Sequence, residues 1–337
     1  MNNPELFYLL TFPDLVDPTG TPPEKITGLK DAPYFQPVDI SVCSLPGLEL
    51  QVETATVSVA RQRYDERIQM VECRYGIADP LSMAGIQERE RIQSGLRNQL
   101  VPQEYRSSGL YEEYVVLCLA KINESPDAFI EANAARLARF IRSQREGLDP
   151  AEINEILVSR VRYSQEDLTL VDWEAALIIA PQGDFQSDVE LLKIGNYQLL
   201  RYRMLDQSIE GILHAINREF TQGKRSRAKP TRSSLRRIIA HRLEIALDFE
   251  HTDQNLLLIG DWYTAKLFGI IRNEFYLDEW KSAVRTKLDN LEGVIHTIQE
   301  NFSLSFSGLL ENVQLAGWII LLIGYFILFF FEISKVK

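Results

Sequence analysis

From Leu315 to Phe331 the chain runs for 17 residues without a charge, a proline or a side-chain amide. No other stretch limits the architecture so strongly. As a helix rising about 1.5 Å per residue it reaches roughly 25 Å, the short end of a membrane span. Val313 and Ile333 extend it on either side, and Trp318 and Tyr325 suit the role of amphipathic ring anchors. A buried core helix keeps a polar edge, and this run has none. The expectation is one C-terminal transmembrane helix over 313–333, with the lipid bilayer as partner and a single-pass membrane localisation.

The opening MNNPELFYLL has no basic region and no small-residue cleavage site, so neither a secretory signal nor an Arg-rich transit peptide is read there. The main domain is therefore expected to be cytoplasmic, with Lys335 and Lys337 opposing transfer of the tail. Cys43, Cys73 and Cys118 are odd in number and widely spaced, which suggests neither a disulfide framework nor a zinc site. Each reads as a small buried hydrophobe in a reducing compartment. With 45% hydrophobic and 25% charged residues the 337-residue chain is a folded protein, and its net charge of −11 argues against duplex DNA as a partner.

Residues 1–36 carry Pro4, Pro13, Pro18, Pro22, Pro23 and Pro33 and read as an irregular arm. From Pro37 the apolar positions alternate: Val38, Ile40, Val42, then Leu48, Leu50, Val52, then Ala55, Val57, Val59 in the opposite phase. This predicts strands with one wet face and a turn or bulge near Thr54. RIQMVECRYGI and EEYVVLCLAKI follow as strands, and AGIQERERIQSGLRNQLVP as a helix. Two further helices announce their starts, Ser125 before Pro126 and Asp149 before Pro150, with Glu152 completing a capping box. DWEAALIIAP then reads as an inner strand. Together these give an α+β domain over 37–181, ferredoxin-like or a similar mixed fold.

Beyond Pro181 the period becomes helical, and residues 188–310 are expected to form a stalk of long antiparallel or coiled-coil helices, interrupted by a basic linker at 223–234. A helix beginning near Asp261 carries Leu277, Trp280, Val284, Leu288, Leu291, Ile295, Ile298 and Phe302 at steps of three and four residues. That spacing describes a seam for self-association and a homo-oligomer.

Two stretches, DVELLKIGNYQLLRYRMLDQSIEG and LLLIGDWYTAKLFGIIRNEFYLDEWKSAVRTKLDNLEGVIHTIQENF, together with the terminal apolar run, resemble the required-for-meiotic-nuclear-division family, also called domain of unknown function 155, in its bacterial form. The resemblance covers roughly 110–335. It implies a membrane-anchored, assembling protein linked to support of translation.

Lys224, Arg225, Arg227, Lys229, Arg232, Arg236 and Arg237 form a cluster of cations with no acid among them, suited to anionic lipid head groups or RNA phosphates, or to a solvated linker. Tyr64 and Tyr75 read as packing residues rather than base-stacking ones. His214, His241, His251 and His296 show no metal-ligand spacing. No nucleophile elbow, phosphate loop, dinucleotide fingerprint or zinc-protease spacing occurs, so no catalytic residue, cofactor or small-molecule substrate is read. Adjacent acids such as Glu112 and Glu113 point to opposite faces of a strand and read as surface residues. The function expected is a membrane-anchored, self-associating scaffold or regulator and not an enzyme. The alternatives are a subunit of an ion-conducting assembly like the CorA-type magnesium channels, and an RNA or ribosome tether.

Overall fold

The computed structural model describes residues 4–14, 24–25, 40–120, 122–218, 232–254 and 262–335. It divides into two compact units, Met1–Ser208 with Ile245–Val284, and Ile209–Glu244 with Arg285–Lys337.

The first unit is built on a nine-stranded sheet. Its strands are β1 (Glu5–Pro13), β2 (Glu24–Lys25), β3 (Ser41–Val52), β4 (Ala55–Tyr64), β5 (Ile68–Gly76), β6 (Glu112–Leu119), β7 (Arg160–Val161), β8 (Leu168–Val171) and β9 (Ala175–Ile179). They lie in the order β2-β3-β4-β5-β1-β6-β9-β8-β7. Every neighbouring pair is antiparallel except β6 with β9, which a crossover makes parallel. Nine strands in this order are not the four-stranded ferredoxin-like arrangement that the sequence pattern suggested. The difference begins at the N-terminus.

Residues 5–13 are not part of an irregular arm but the strand β1, hydrogen-bonded to β5 on one side and β6 on the other. The physical reason lies in where the prolines fall: Pro4 precedes the strand and Pro13 ends it, so ELFYLLTF between them keeps every backbone donor. Leu6, Phe7, Tyr8, Leu9, Leu10 and Phe12 are all buried, which suits a central strand covered on both faces. The rest of the expected arm lies almost wholly outside the described residues.

Helices cover both faces. On one, α1 (Met83–Leu100), α3 (Pro126–Ile141) and α4 (Pro150–Ile156) supply Ile86, Ile92, Leu96, Leu137, Phe140 and Ile156 to a core shared with Leu6, Tyr8, Val71, Cys73, Val115 and Leu117. Short α2 (Gln103–Ser108) leads into β6. Ser82, Ser125 and Asp149 cap α1, α3 and α4, each accepting a backbone N–H. On the other face lie α5 (Gln186–Ile216) and α7 (Trp262–Glu274): Lys193 of α5 reaches Glu72, and Tyr263 of α7 reaches Thr169.

The helix expected to begin near Asp261 is broken. α7 ends at Glu274, Tyr276 takes φ 51, and α8 restarts at Leu277 and continues to Lys335. The second unit is helical, formed by the end of α5, the start of α6 (Arg232–Gln254) and most of α8. Ile209, Ile212, Leu235, Ile238, Leu288, Leu291 and Ile295 are buried in it. Ion pairs Lys287–Glu210 at 2.9 Å and Arg242–Glu292 at 2.5 Å join α8 to α5 and α6.

Among the described residues no helix is long and apolar enough to cross a membrane. This overturns the transmembrane helix at 313–333 and the single-pass localisation. The described apolar side chains of α8 from Leu315 to Ile327 rise only about 18 Å, short of a hydrocarbon core of about 30 Å. The side chains of Phe326 and of residues 328–337 lie outside the described residues.

Candidate functional site

The first unit contains a cavity of about 510 Å³, within the usual range for a small-molecule site. Its origin is a mismatch in strand length. β6 pairs with β1 from Glu112 onward, Thr11 lying opposite it, but with β9 only from Val115 opposite Ala175. Beside residues 112–114 the place of a strand is taken by the tight turn 172–174, closed by the Asp172 N–H donating to the Ala175 carbonyl at 3.1 Å. The sheet has an opening there. Successive residues of β6 face opposite sides, yet Glu112, Glu113, Tyr114 and Val115 all line the cavity, as do Trp173 and Glu174 of the turn. Gln93 of α1, Asn196 and Leu199 of α5, and Phe275 after α7 complete the walls with Tyr8.

The three lining carboxylates are held differently. Glu113 accepts hydrogen bonds from the Tyr8 hydroxyl and from Arg97 Nη1, the latter at 2.9 and 3.0 Å. Glu112 is held by Arg203, whose guanidinium also donates to the carbonyls of Gly109 at 2.6 Å and Tyr111 at 3.1 Å. Burial raises the Glu112 pKa against the opposing pull of Arg203. Glu174 faces solvent at the turn, and its carboxylate accepts no hydrogen bond among the described residues. Its pKa too is raised, first by desolvation, with Arg142 opposing.

The other walls are aromatic. The Phe275 ring stands edge-on to Tyr114 at 5.0 Å between centroids and to Trp173 at 6.3 Å. The Tyr114 hydroxyl donates to the Asp172 carbonyl at 2.8 Å, which fixes the ring. Burial pushes the phenols of Tyr8 and Tyr114 well above the ordinary tyrosine range, so both stay neutral donors. Among the described residues no group of three or more His, Cys, Asp or Glu side chains could hold a metal ion.

Sequence reasoning missed this cavity because it took Glu112 and Glu113 as surface residues on opposite strand faces. The faces are opposite. The signal that could have found the site is the uneven length of EEYVVLCL and the apolar run AALII, which leaves two acids without a strand partner on one side.

The residues singled out from sequence lie elsewhere. Lys224, Arg225, Arg227 and Lys229 are outside the described residues; Arg232 opens α6, its side chain not described, and Arg236 and Arg237 are exposed on α6. Of the seam, Leu277, Val284, Leu288, Leu291 and Ile295 are buried within this single chain, Trp280 and Ile298 are half-buried, and the side chain of Phe302 is not described. Trp318 and Tyr325 are exposed on α8. Tyr64 and Tyr75 are buried, as are Cys73 and Cys118. Burial pushes the Cys73 thiol up to about 12.

With the geometry in place, comparison with known proteins gives one direction. The chain is similar to an archaeal protein. The family described as "Uncharacterized protein MJ0711, N-terminal domain" matches residues 30–186. Uncharacterized protein MJ0711 of Methanocaldococcus jannaschii is 27% identical over 219 residues, covering 65% of this chain and 67% of that relative. No solved structure matches. These matches correct the resemblance to the required-for-meiotic-nuclear-division family, to which nothing in the comparisons points; it rested on helical composition, which many chains share. The matched region contains β6, the turn 172–174 and β9, and thus the opening in the sheet.

Proposed function

We propose that this protein is a self-associating scaffold or regulator whose copies assemble through the C-terminal part of α8. The observation that carries this is an uncovered apolar surface. Val313, Leu315, Trp318 to Ile323, Tyr325 and Ile327 are each more than half exposed, from 51% for Ile319 to 70% for Leu321. A run of apolar side chains around a helix in water is unstable unless something covers it, and single chains rarely leave so much apolar surface open.

A second copy is the occupant that suits this surface. It has no charge to select a foreign partner, whereas an identical stretch is complementary to it under two-fold or cyclic symmetry. Gly317 and Gly324, seven residues apart, share one side of the helix, and a Cβ at either meets nothing within 4 Å. Val313, Ile320 and Leu321 flank that narrow side. Burying about three such side chains from each of two copies contributes roughly 9–18 kcal/mol, comparable to or above the roughly 4–15 kcal/mol that association costs. The seam residues Leu288, Leu291 and Ile295 already pack inside one chain, so they hold up the helix that presents the surface.

Analytical ultracentrifugation of the full chain tests this. The expected result is a mass at least twice the 38.7 kDa of one chain, falling toward the single-chain value when Ile320→Glu and Leu321→Glu are introduced together. A wild-type protein that sediments at the mass of one chain overturns the proposal, as does an oligomer indifferent to the double change.

A further inference from the structure

From the cavity beside β6 we infer a binding site for a small organic ammonium ion, held between the carboxylate of Glu174 and the ring of Trp173. The lining decides the charge of the ligand. Three carboxylates, Glu112, Glu113 and Glu174, line the cavity, and no lysine, arginine or histidine does. Arg97 and Arg203 are engaged with Glu113 and Glu112, so an anion entering there meets the unpaired charge of Glu174, in a partly desolvated space where repulsion is strongest. A cation is attracted to it.

The lining also decides what kind of cation. A bare metal ion needs several converging ligands, and no such group exists among the described residues. Glu113 is already occupied by Tyr8 and Arg97, and Glu112 by Arg203. That leaves Glu174 as the lining carboxylate with no hydrogen-bond partner among the described residues. Aromatic side chains accompany it instead of further oxygens: Trp173 beside it in the turn, with Phe275 edge-on to both Trp173 and Tyr114. An ammonium carried on a carbon frame satisfies both halves, its charge on the carboxylate and on an aromatic face, its apolar part against the rings. A space of about 510 Å³ accommodates such a molecule and is far larger than one ion requires.

The arginines pair with two of the lining acids. Arg97 and Arg203 neutralise Glu113 and Glu112, so the site avoids placing three unpaired negative charges in one cavity. Glu174 is exposed and is left without such a partner, open to a ligand from solution.

Isothermal titration calorimetry of the full chain with choline, and separately with butylamine, tests the inference. The control ligand is the uncharged isostere of choline, in which a tert-butyl group replaces the trimethylammonium. At least one of the two cations is expected to bind saturably, and the isostere about tenfold or more weaker than choline, the ratio that a cation–aromatic contact supplies. Trp173→Ala and Glu174→Gln are each expected to weaken the cation about tenfold, while Glu131→Gln, an exposed acid on α3, leaves it unchanged. Trp173 is 39% exposed and Glu174 is exposed, so neither change threatens folding. No saturable heat with either cation overturns the inference. Equal binding of choline and isostere also overturns it, as an apolar pocket alone, and so does an affinity untouched by both substitutions. None of these outcomes bears on the mass of the assembly, which is tested independently.

Discussion

Lys193 of α5 and Glu72 of β5 form an ion pair of 3.2 Å with side chains only 2% and 4% exposed. The same ammonium donates to Glu190 at 2.6 Å and to Gln62 at 2.9 Å, and Arg74 returns a bond to Glu72 at 2.6 Å. Two cations and two carboxylates thus close on one another between α5 and the sheet. Lys193, Glu72 and Glu190 depend on one another because none of the three can turn to water, while Arg74 is part-exposed.

Removing one member leaves its partners charged and dry. Lys193→Met is expected to destabilise the protein by about 3–5 kcal/mol, since Glu190 then loses its cation and Glu72 keeps only the part-exposed Arg74. Urea unfolding followed by circular dichroism measures this. A loss below about 1 kcal/mol means that water or local opening already reaches the pair.

Arg89 poses the opposite case. It occupies a core-facing position of α1 between Ile86 and Ile92 and is 1% exposed. Its guanidinium lies 4.2 Å from the Phe140 ring centroid and donates to the Phe140 carbonyl at 2.8 Å and to Ser143 Oγ at 2.7 Å. Its Nε has no partner. Arg89→Met keeps most of the volume and removes a buried cation, so it is expected to stay within about 1 kcal/mol of the wild type or to stabilise it. Arg89→Ala opens a cavity and is expected to cost about 2–5 kcal/mol. If both cost the same, the charge and not the packing is what α1 requires there.

How far the fold can be read from sequence depends on how local its cause is. The caps Ser125 and Asp149, the strands in RIQMVECRYGI, EEYVVLCL and AALII, and the turn near Thr54, where Glu53 takes φ 52, follow from residues within one or two turns of chain. β1 did not, because a high proline count over 1–36 hid an uninterrupted run from Glu5 to Phe12. The break at Tyr276 is equally nonlocal: helical spacing runs through it, and the kink follows from Phe275 turning into the site to meet Tyr114 and Trp173. The cavity depends on two strands of unequal length pairing across more than fifty residues, which no periodicity records. The apolar run over 313–333 was read as a membrane span, which no helix among the described residues is long and apolar enough to form; composition alone does not say what covers such a run.

The central place of β1 makes a sharp prediction. Deleting residues 1–14 removes a strand bonded along its whole length to β5 and through most of it to β6, and exposes two strand edges in the middle of the sheet. The truncated chain is expected to aggregate or to lose its cooperative thermal transition. An arm would be dispensable. A truncated protein with an unchanged transition temperature and an unchanged far-ultraviolet spectrum would show that β1 adds nothing to the sheet.

The carboxylates around the cavity should make stability fall as pH rises from the acid side. Burial raises the pKa of Asp172, Glu112 and Glu174 above that of the unfolded chain, with Arg142 opposing at Asp172 and Glu174, and Arg203 at Glu112. The folded protein therefore holds these protons more tightly than the unfolded one. Their contribution is complete below the unfolded value of about 4 and is lost as pH rises through the raised folded values. Asp172, whose side chain is 5% exposed, carries more of this than Glu174, which water screens. Asp172→Asn removes its share while leaving the backbone turn and the Tyr114 hydrogen bond, made to the Asp172 carbonyl, in place. Urea unfolding at a series of pH values should give the variant a shallower decline than the wild type. Identical slopes would mean that Arg142, at 3.2 Å from Asp172, cancels the cost of burial in full.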